Sequence, residues 1–291
     1  MFLENLRKVF RETTMKKRAV LLASVILLSI VGLVQAQQDG LHGLIDVTYQ
    51  SKYIWRGFDM YADKSAIQPA IDVDLFGTGF GVSVMGHRAN SSGFEAFERW
   101  DYTAYYYNRL FHNRPYATAY RISWVYYNFP EWHHDQLGLQ EINGIFSWPK
   151  VLSIKGLVPT YVIVKMWPSS SESLVSHRRD LTTGNASGGT ASGWFHIFML
   201  DYAVPVKGLV PEIPEHKLNL HAELVYNDGV GPLGQYVDHD WSHAVFGVST
   251  DINLGKNYAL TPALYHQVRM EETVNSDKDE TWVSLSLKYK F

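Results

Sequence analysis

The chain has 291 residues, a formal net charge of −3 and no cysteine, and 46% of its residues are hydrophobic. This composition excludes an intrinsically disordered chain, and because there is no basic excess to neutralise phosphates, it also excludes nucleic acid as a partner. The lack of cysteine excludes disulfides, thiolate metal sites and a cysteine nucleophile.

The first 36 residues are predicted to be an N-terminal extension followed by a secretory signal peptide. A basic cluster at 16–18 precedes an uncharged stretch from Ala19 to Val34, and Ala36 provides the small residue before a cleavage point. The uncharged stretch is shorter than the roughly 20 residues of a membrane-spanning helix, which favours a cleaved signal for export through the Sec pathway. Residues 37–291 then form the mature domain.

From Leu44 onward the hydrophobic period is two, over segments of about 10 residues, the length that a tilted β-strand needs to cross a membrane. In the last segment, alternate positions from Val283 to Phe291 are apolar, and the positions between them are mostly polar. The same pattern predicts twelve strands, at about 44–56, 66–76, 80–88, 97–108, 116–127, 137–148, 159–167, 192–204, 216–227, 242–254, 258–268 and 280–291.

The connections between these strands alternate between turns and longer, more polar loops. The turns include 77–79, 205–215 and 255–257, and the loops include 168–191 and 228–241. Outer-membrane barrels alternate in this way, with short periplasmic turns and long external loops. The sequence therefore predicts an all-β, transmembrane, antiparallel up-and-down β-barrel of about 12 strands, with both termini on the periplasmic side of a bacterial outer membrane.

A soluble β-sandwich also has alternating strands, so periodicity alone leaves both folds open. Aromatic residues near the strand ends favour the barrel, because the interfacial girdles of outer-membrane barrels are built from them. The candidates for these girdles are Tyr53, Trp55, Tyr106, Tyr107, Tyr126, Tyr127, Trp148, Trp167, Trp194, Tyr226, Tyr258, Tyr289 and Phe291.

The chain ends on a pattern that resembles the recognition signal of outer-membrane barrels. The last residue is Phe291, and Tyr289, Leu287 and Leu285 precede it at every second position. The resemblance implies that the barrel-assembly machinery is a partner, in addition to the outer-membrane lipid and lipopolysaccharide that would surround the barrel.

A second resemblance covers about residues 44–90. The stretches Ser51-Lys52-Tyr53-Ile54-Trp55-Arg56-Gly57-Phe58, Ala66-Ile67-Gln68-Pro69-Ala70 and Gly79-Phe80-Gly81-Val82 look like the opening hairpins of the Gcw_chp family. These are uncharacterised bacterial envelope proteins built as outer-membrane barrels. Trp55 and the apolar residues after Arg56 depart from the usual polar continuation of the family. The resemblance implies a location and a fold, with solute permeation as a hypothesis, and carries over no catalytic residue.

Charged residues at the alternate, inward positions are the candidate lining of a lumen. They carry both signs, and twelve strands lie between small filled barrels and open porins, so the sequence leaves open a water-filled channel and a lumen blocked by ion pairs. The loop at 168–191, which contains Arg178 and Arg179, is the candidate for an inward constriction. The predicted lining residues are Lys52, Arg56, Asp72, Asp74, Arg121, Glu141, Glu223, Asp251 and Lys288.

Three other interpretations have less support. An omptin-like protease would need the acidic pair at 72–74 near 238–240, but the first lies beside a turn and the second in a long loop, a strand length away. A barrel phospholipase would need a serine beside His266, and none is one strand step away. A metal held by 133–135 and 238–240 would require adjacent loop residues to point at one ion. We predict no enzyme activity, no metal and no cofactor.

The long loops carry more carboxylates than basic side chains, and such a mouth should concentrate cations. The main functional hypothesis is therefore a passive, porin-like channel for small solutes with a mild cation preference. The alternative is a closed structural or surface-binding barrel without transport. An outer-membrane enzyme is a third hypothesis.

Overall fold

The computed structural model describes residues 40–176, 189–210, 213–275 and 278–291, which form one closed antiparallel barrel. The predicted extension and signal peptide at 1–36 lie outside these residues. The strands are β1 (His42–Gln50), β2 (Ile54–Trp55), β3 (Phe58–Asp59), β4 (Ala66–Asp74), β5 (Phe80–Ala89), β6 (Arg99–Leu110), β7 (Thr118–Asn128), β8 (Leu139–Ser147), β9 (Leu157–Pro168), β10 (Gly193–Val210), β11 (Ile213–Asp228), β12 (His239–Thr250), β13 (Ile252–Gly255), β14 (Tyr258–Arg269) and β15 (Glu280–Lys290).

Twelve of these elements form the wall, once β12 and β13 are counted as one strand interrupted at Asp251. Both parts pair with β14, and the wall strands follow one another in sequence order. β1 pairs with β4 on one side and with β15 on the other, so the first and last strands close the barrel. The predicted twelve-stranded, up-and-down barrel is confirmed.

The strand register determines which face of the wall each residue occupies. Val47 and Val283 are 43% and 48% exposed on the outer face, whereas Gln68 and Glu141 are each 2% exposed inside the lumen. An apolar outer surface around a mostly polar inner one is the arrangement of outer-membrane barrels. The large apolar side chains exposed on the outer face include Val47, Tyr49, Val82, Tyr102, Ile122, Trp124, Ile142, Phe198, Leu200, Leu220, Phe246, Leu264, Val283, Leu285 and Leu287.

The two ends of the barrel differ in their connections. We call the end with the long connections, such as 51–65 and 169–192, the loop side, and the opposite end the turn side. A helix α1 (His134–Leu137) and a 3-10 turn (Glu95–Phe97) lie in loop-side connections. Among the described residues, no helix has the length and hydropathy of a membrane span.

Outward-facing aromatic residues form a band near each end, where a barrel meets the two membrane interfaces. On the turn side, the rings of Phe80 and Tyr106 lie 4.8 Å apart, and those of Tyr258 and Tyr289 lie 4.7 Å apart. The loop-side band contains Trp100, Tyr102, Trp124, Tyr126, Trp167, Trp194, Tyr226 and Trp241.

Two strand ends differ from the sequence-based prediction by six residues, and the other boundaries differ by three or fewer. β1 ends at Gln50, and not near Arg56, because the chain leaves the wall there and turns into the lumen. The predicted turn at 205–215 is largely strand: β10 reaches Val210, and its ladder with β11 continues from Pro205 to the pair Val210↔Ile213 with one irregularity.

Candidate functional site: a lumen crossed by the first loop

The first loop-side connection folds into the barrel. Residues 51–62, which we call the lumen hairpin, contain the short strands β2 and β3 and are closed by a hydrogen bond from Met60 N to Tyr53 O of 3.0 Å. Five of its large side chains are buried, each 9% exposed or less: Tyr53, Trp55, Phe58, Met60 and Tyr61. Burying an aromatic or methionine side chain contributes roughly 1.5–3 kcal/mol, so this segment is held largely by its apolar contacts.

One side of the hairpin rests on Arg99, an inward residue of β6. The guanidinium lies 3.9 Å from the centroid of the Trp55 ring and 4.6 Å from that of Tyr127, and its Nη2 donates to Tyr53 Oη at 2.7 Å. Tyr53 in turn stacks on His87, with ring centroids 4.8 Å apart. A desolvated cation between aromatic faces is a favourable arrangement, so these contacts fix the hairpin against β5, β6 and β7.

Arg99 belongs to a buried polar network in the wall. Its Nε donates to Asp101 Oδ1 at 2.6 Å and its Nη2 to Asp101 Oδ2 at 3.0 Å, a bidentate pair. His87 Nε2 also contacts Asp101 Oδ2, at 2.9 Å, and His87 Nδ1 contacts Gln68 Nε2 at 2.8 Å. The buried charge of Arg99 is therefore compensated by a carboxylate, as charges out of water require.

The tip of the hairpin reaches the opposite walls. Arg56 Nη2 donates to both carboxylate oxygens of Glu141 on β8, at 3.1 and 3.2 Å, and its guanidinium lies 5.4 Å from the ring centroid of Phe195 on β10. The carbonyl of Gly57 accepts from Gln267 Nε2 on β14 at 2.9 Å and from Asn275 Nδ2 at 3.0 Å. The hairpin therefore contacts strands on opposite sides of the barrel, from β5 to β14, which shows that it crosses the lumen.

Gly57 is required by the space at this tip. Its φ is +91°, and a Cβ added there would lie 2.5 Å from Nδ1 of His243, an inward residue of β12. Any larger residue would be strained by its backbone and would collide with the wall.

Ion pairs hold the base of the hairpin at the loop side. Lys52 Nζ contacts Glu280 on β15 and Asp63 Oδ1, the latter at 2.5 Å, and Lys278 Nζ contacts Asp63 Oδ2 at 2.9 Å. The hydrogen bonds from Lys52 and Lys278 lower the pKa of Asp63 to about 2. Burial raises the pKa of Asp59, although backbone N–H groups of Asp63 and Tyr61 oppose this shift. Asp59, Asp63 and Glu280 thus form an acidic group, and two lysines compensate the charges of Asp63 and Glu280.

The loop-side wall is apolar where it faces the hairpin. Inward positions of neighbouring strands contribute buried aliphatic and aromatic side chains to one continuous cluster with Trp55 and Tyr61. The wall members of this cluster are Ala66, Ala89, Val125, Tyr127, Leu139, Val162, Val164, Met166, Phe195, Ile197 and Val225. A packed apolar cluster therefore occupies part of the loop-side half of the lumen.

The turn-side half of the lumen is lined by polar side chains. Tyr105 Oη donates to Asp72 Oδ1 at 2.6 Å, and Arg121, with its guanidinium 3.7 Å from the Tyr105 ring centroid, lies 3.6 Å from Asp72 Oδ2. On the other wall, His221 Nδ1 lies 2.7 Å from Asp201 Oδ1, and Asp201 is 50% exposed. Partly exposed carboxylates with hydroxyl and imidazole partners suit a wet vestibule.

The predicted lining residues fall into three groups. Arg56 meets Glu141 at the tip of the hairpin and Lys52 meets Glu280 at its base, and both cations belong to the hairpin and not to a wall strand. Asp72 and Arg121 meet in the turn-side half, and Lys288 lies 3.6 Å from Asp251 on the same side. Asp74 and Glu223 join neither pair: Asp74 Oδ1 accepts from Gly77 N in the adjacent turn at 2.6 Å, and Glu223 Oε1 lies 3.8 Å from His243 Nε2.

Four of the candidate girdle residues occupy inward positions instead, and one of them is Tyr107 on β6, opposite the inward Arg121. Tyr53 and Trp55 are buried in the lumen hairpin, and Tyr127, at 4% exposed, packs against Trp55 with ring centroids 5.4 Å apart. Half of the segment 168–191, for which an inward constriction is predicted, lies outside the described residues, at 177–188, and this half includes Arg178 and Arg179. The described constriction comes from the first loop.

The proposed assembly residues lie on the outer face at the seam between β1 and β15. Leu285 and Leu287 are 44% and 45% exposed, whereas Phe291 is 8% exposed. The Phe291 ring lies against Gly43, where an added Cβ would be 2.3 Å from its Cζ, and Tyr289 stacks on it with centroids 6.4 Å apart. Their recognition by an assembly machinery stays a prediction.

The residues of the weaker interpretations do not converge in the described part of the chain. His239 Nδ1 pairs with Asp228 Oδ1 at 2.6 Å on the loop side, far from Asp74 at the turn side. His266 Nδ1 contacts Thr281 Oγ1 at 2.8 Å. The side chains of residues 134 and 135 lie outside the described residues, so a metal at 133–135 stays untested.

The comparisons with known proteins concern the fold. No family model matches the sequence, and no curated protein matches it, so the Gcw_chp resemblance stays a prediction. Among solved structures, the barrel is similar to the KdgM porin, with 11% identity, a TM-score of 0.48, and 85% of this chain and 99% of that chain covered. An outer membrane channel from Pseudomonas putida F1 has 11% sequence identity and a TM-score of 0.47, and the match covers 86% of this chain and 95% of that chain. LpxR from Salmonella typhimurium has 9% sequence identity and a TM-score of 0.43, and the match covers 84% of this chain and 99% of that chain.

Proposed function

We propose that this barrel is a channel for small solutes in the bacterial outer membrane, with its width set by the lumen hairpin. The observation that carries the proposal is the two-part lumen: a polar turn-side vestibule leads to a loop-side half that one inserted segment crosses. A segment that is tied to the wall by side-chain contacts, and is not itself a wall strand, can narrow a pathway without being needed to close the barrel.

A mild cation preference is part of this proposal. The vestibule carries Asp46, Asp72 and Asp201 on inward strand positions, and Asp251 lies on the same side. The cationic side chains beside them are Arg121, close to Asp72, and Lys288, which is the register partner of Asp46 and lies 3.6 Å from Asp251, so carboxylates outnumber cations in this set. Asp46 accepts hydrogen bonds from the neutral hydroxyls of Thr48 and Ser286, so its charge is not cancelled by these partners. A net negative lining raises the local concentration of cations.

The location rests on the apolar outer face, the two aromatic bands and the N-terminal segment. In the proposal, residues 1–36 direct export through the Sec pathway, and residues 285–291 are recognised by the barrel-assembly machinery. Lipid and lipopolysaccharide contact the outer face. The proposal assigns no catalytic residue and no cofactor.

Planar-bilayer recordings with purified protein test this function. We expect small conductance steps with a reversal potential that shows cation preference, and a weaker preference in Asp201→Asn. The control is Glu272→Gln, which removes a carboxylate 77% exposed in a loop-side connection, outside the vestibule. Anion selectivity of the wild type, or equal selectivity in all three proteins, would contradict the proposed lining.

The second candidate is a closed structural barrel without transport. The pair Arg56–Glu141, which links the hairpin tip to the wall, and the buried pair Arg99–Asp101 on β6, on which the hairpin rests, favour it. This candidate predicts electrical silence in the wild type and also in a variant whose hairpin is shortened, so the same recordings separate the two functions.

A further inference from the structure

A lysine lies on the lipid-facing surface of the barrel, within the loop-side aromatic band. Lys165 is on β9 at an outward position between Ile163 and Trp167, and its register partners on β8 and β10 are Ile142 and Trp194. Ile142 and Trp194 are 51% and 39% exposed on the outer face. The amine is therefore placed among side chains that contact membrane lipid.

Lys165 has an aromatic neighbour but no anionic one. Its Nζ lies 5.2 Å from the centroid of the Trp194 ring. Among the described residues, no carboxylate forms an ion pair with Lys165. Arg88 provides the contrast, because this exposed loop-side cation lies 3.1 Å from the carboxylate of Glu98.

A second donor lies beside Lys165 on the same face. His196 is two residues after Trp194 on β10, and its Nδ1 is 2.7 Å from Tyr161 Oη. Diagonal positions on neighbouring strands are about 7–8 Å apart at Cα, within reach of long side chains. In the tautomer in which Tyr161 Oη donates to Nδ1, the ring N–H of His196 is on Nε2 and is available as a donor.

We propose that Lys165, assisted by His196, binds a phosphate group of a phosphorylated glycolipid in the outer leaflet. A cation at the edge of a hydrocarbon layer is costly unless it reaches an anion, and the phosphates of surrounding lipid are the anions at that depth. The flanking ring of Trp194 and the apolar side chain of Ile142 contact the acyl chains below the headgroup. The inference rests on the proposed function only for the placement of the barrel in the outer membrane.

Native mass spectrometry of the detergent-purified full chain tests the site. The probes are a lipid A carrying both phosphates and the same lipid with both phosphates removed. We expect Lys165→Met to bind the phosphorylated lipid about tenfold more weakly than the wild type, as for loss of one charge-assisted contact. Lys165→Arg should retain binding, and the wild type should bind the phosphate-free lipid as weakly as Lys165→Met does.

Arg88→Met is the matched control, because it removes an exposed loop-side cation that already has a carboxylate partner. Its affinity should stay within about twofold of the wild type. Heat-modifiable migration on a gel confirms that each variant is folded. Equal binding by Lys165→Met, equal binding of the phosphate-free lipid, or displacement of the lipid by millimolar inorganic phosphate would overturn the proposal.

The channel and the lipid site can fail separately. Loss of conductance with phosphate-dependent lipid binding intact would refute the channel and leave the site standing. Cation-selective conductance with no difference between the lipid A probes would refute the site alone.

Discussion

The two halves of the barrel share the same strands and differ in what their lumen contains. In the loop-side half, Trp55 and Tyr61 of the hairpin pack against inward aliphatic residues, and Arg99 is 2% exposed. In the turn-side half, the inward Asp72 and Arg121 are 35% and 32% exposed. The same alternating wall therefore encloses a packed core at one end and a polar vestibule at the other.

This difference shows that the inner face of a barrel is specified by what it contacts, not only by its position on a strand. Where β9 meets the hairpin, its inward residues Val162, Val164 and Met166 are almost fully buried. Closer to the turn side, the inward Thr160 contacts the hydroxyl of Ser147 at 2.8 Å. The strength of side-chain contacts should therefore differ between the halves, and substitutions can measure by how much.

Removal of the Arg99 guanidinium should give the largest effect. Arg99→Met leaves the buried carboxylate of Asp101 without its bidentate partner, and breaking a buried pair typically costs about 3–5 kcal/mol. Urea unfolding in lipid vesicles measures this loss. The control Arg88→Met breaks the ion pair with Glu98, in which the Arg88 side chain is 76% exposed. It should change the free energy of unfolding by about 1 kcal/mol at most. Similar losses in both variants would show that the loop-side network is not a buried core.

Gly57→Ala should be the next most damaging change. It combines a φ of +91° with a Cβ that would lie 2.5 Å from His243 Nδ1, and backbone strain with overpacking should cost about 3 kcal/mol. Gly77→Ala, in a turn-side turn, has a φ of +66° and open space around the added Cβ, so only the strain of about 1 kcal/mol applies. The same unfolding assay compares them, and equal losses would contradict the close contact at the hairpin tip.

Coupling between charged partners should also depend on the half in which they lie. A double-mutant cycle with Arg56→Met and Glu141→Gln should give a coupling energy of about 2 kcal/mol, because Arg56 Nη2 contacts both oxygens of a buried carboxylate. The matched cycle with Arg121→Met and Asp72→Asn joins partly exposed groups 3.6 Å apart and should give less than about 1 kcal/mol. A larger coupling in the vestibule than at the hairpin would reverse the comparison.

Acid should weaken the ion pairs at the base of the hairpin, and this should be the smallest of the four predicted effects on stability. The folded-state pKa of Asp63 is lowered to about 2, so its contribution is present above the usual aspartate pKa of about 3.9 and is lost as the pH falls through about 2. Carbon-detected NMR of the Asp63 carboxyl should therefore show titration near pH 2, and Lys278→Met should move it upward. Titration near pH 4 in the wild type would mean that the contacts with Lys52 and Lys278 are absent.

Strand number and pairing order could be predicted from the sequence because period two, segment length and alternating connection lengths all agree. The segment at 44–56 failed at its end because Tyr53 and Trp55 continue the alternation of β1 while the chain has already turned into the lumen. Aromatic residues close to a strand end suit an interfacial girdle and a packed hairpin equally well. Periodicity cannot separate those two environments.

The packed part of the lumen is indicated by a pattern in the sequence. From Tyr161 to Trp167 nearly every residue is apolar, so the alternation disappears where β9 faces the hairpin. A strand with lipid on one face and water on the other would have polar residues at positions 162 and 164, where this chain has valines. By contrast, the contacts of Arg99 with the hairpin, and those of Arg56 and Gly57 with the wall, join residues distant in sequence, and no local pattern indicates such contacts.

Single-channel recording of a hairpin-shortened variant tests the central claim most directly. In this variant a short Gly-Ser linker replaces residues 52–61, and heat-modifiable migration confirms that the barrel wall is intact. We predict a larger unit conductance than that of the wild type, with the cation preference of the vestibule retained. A conductance equal to that of the wild type, or silence in both proteins, would contradict a pathway whose width is set by the lumen hairpin.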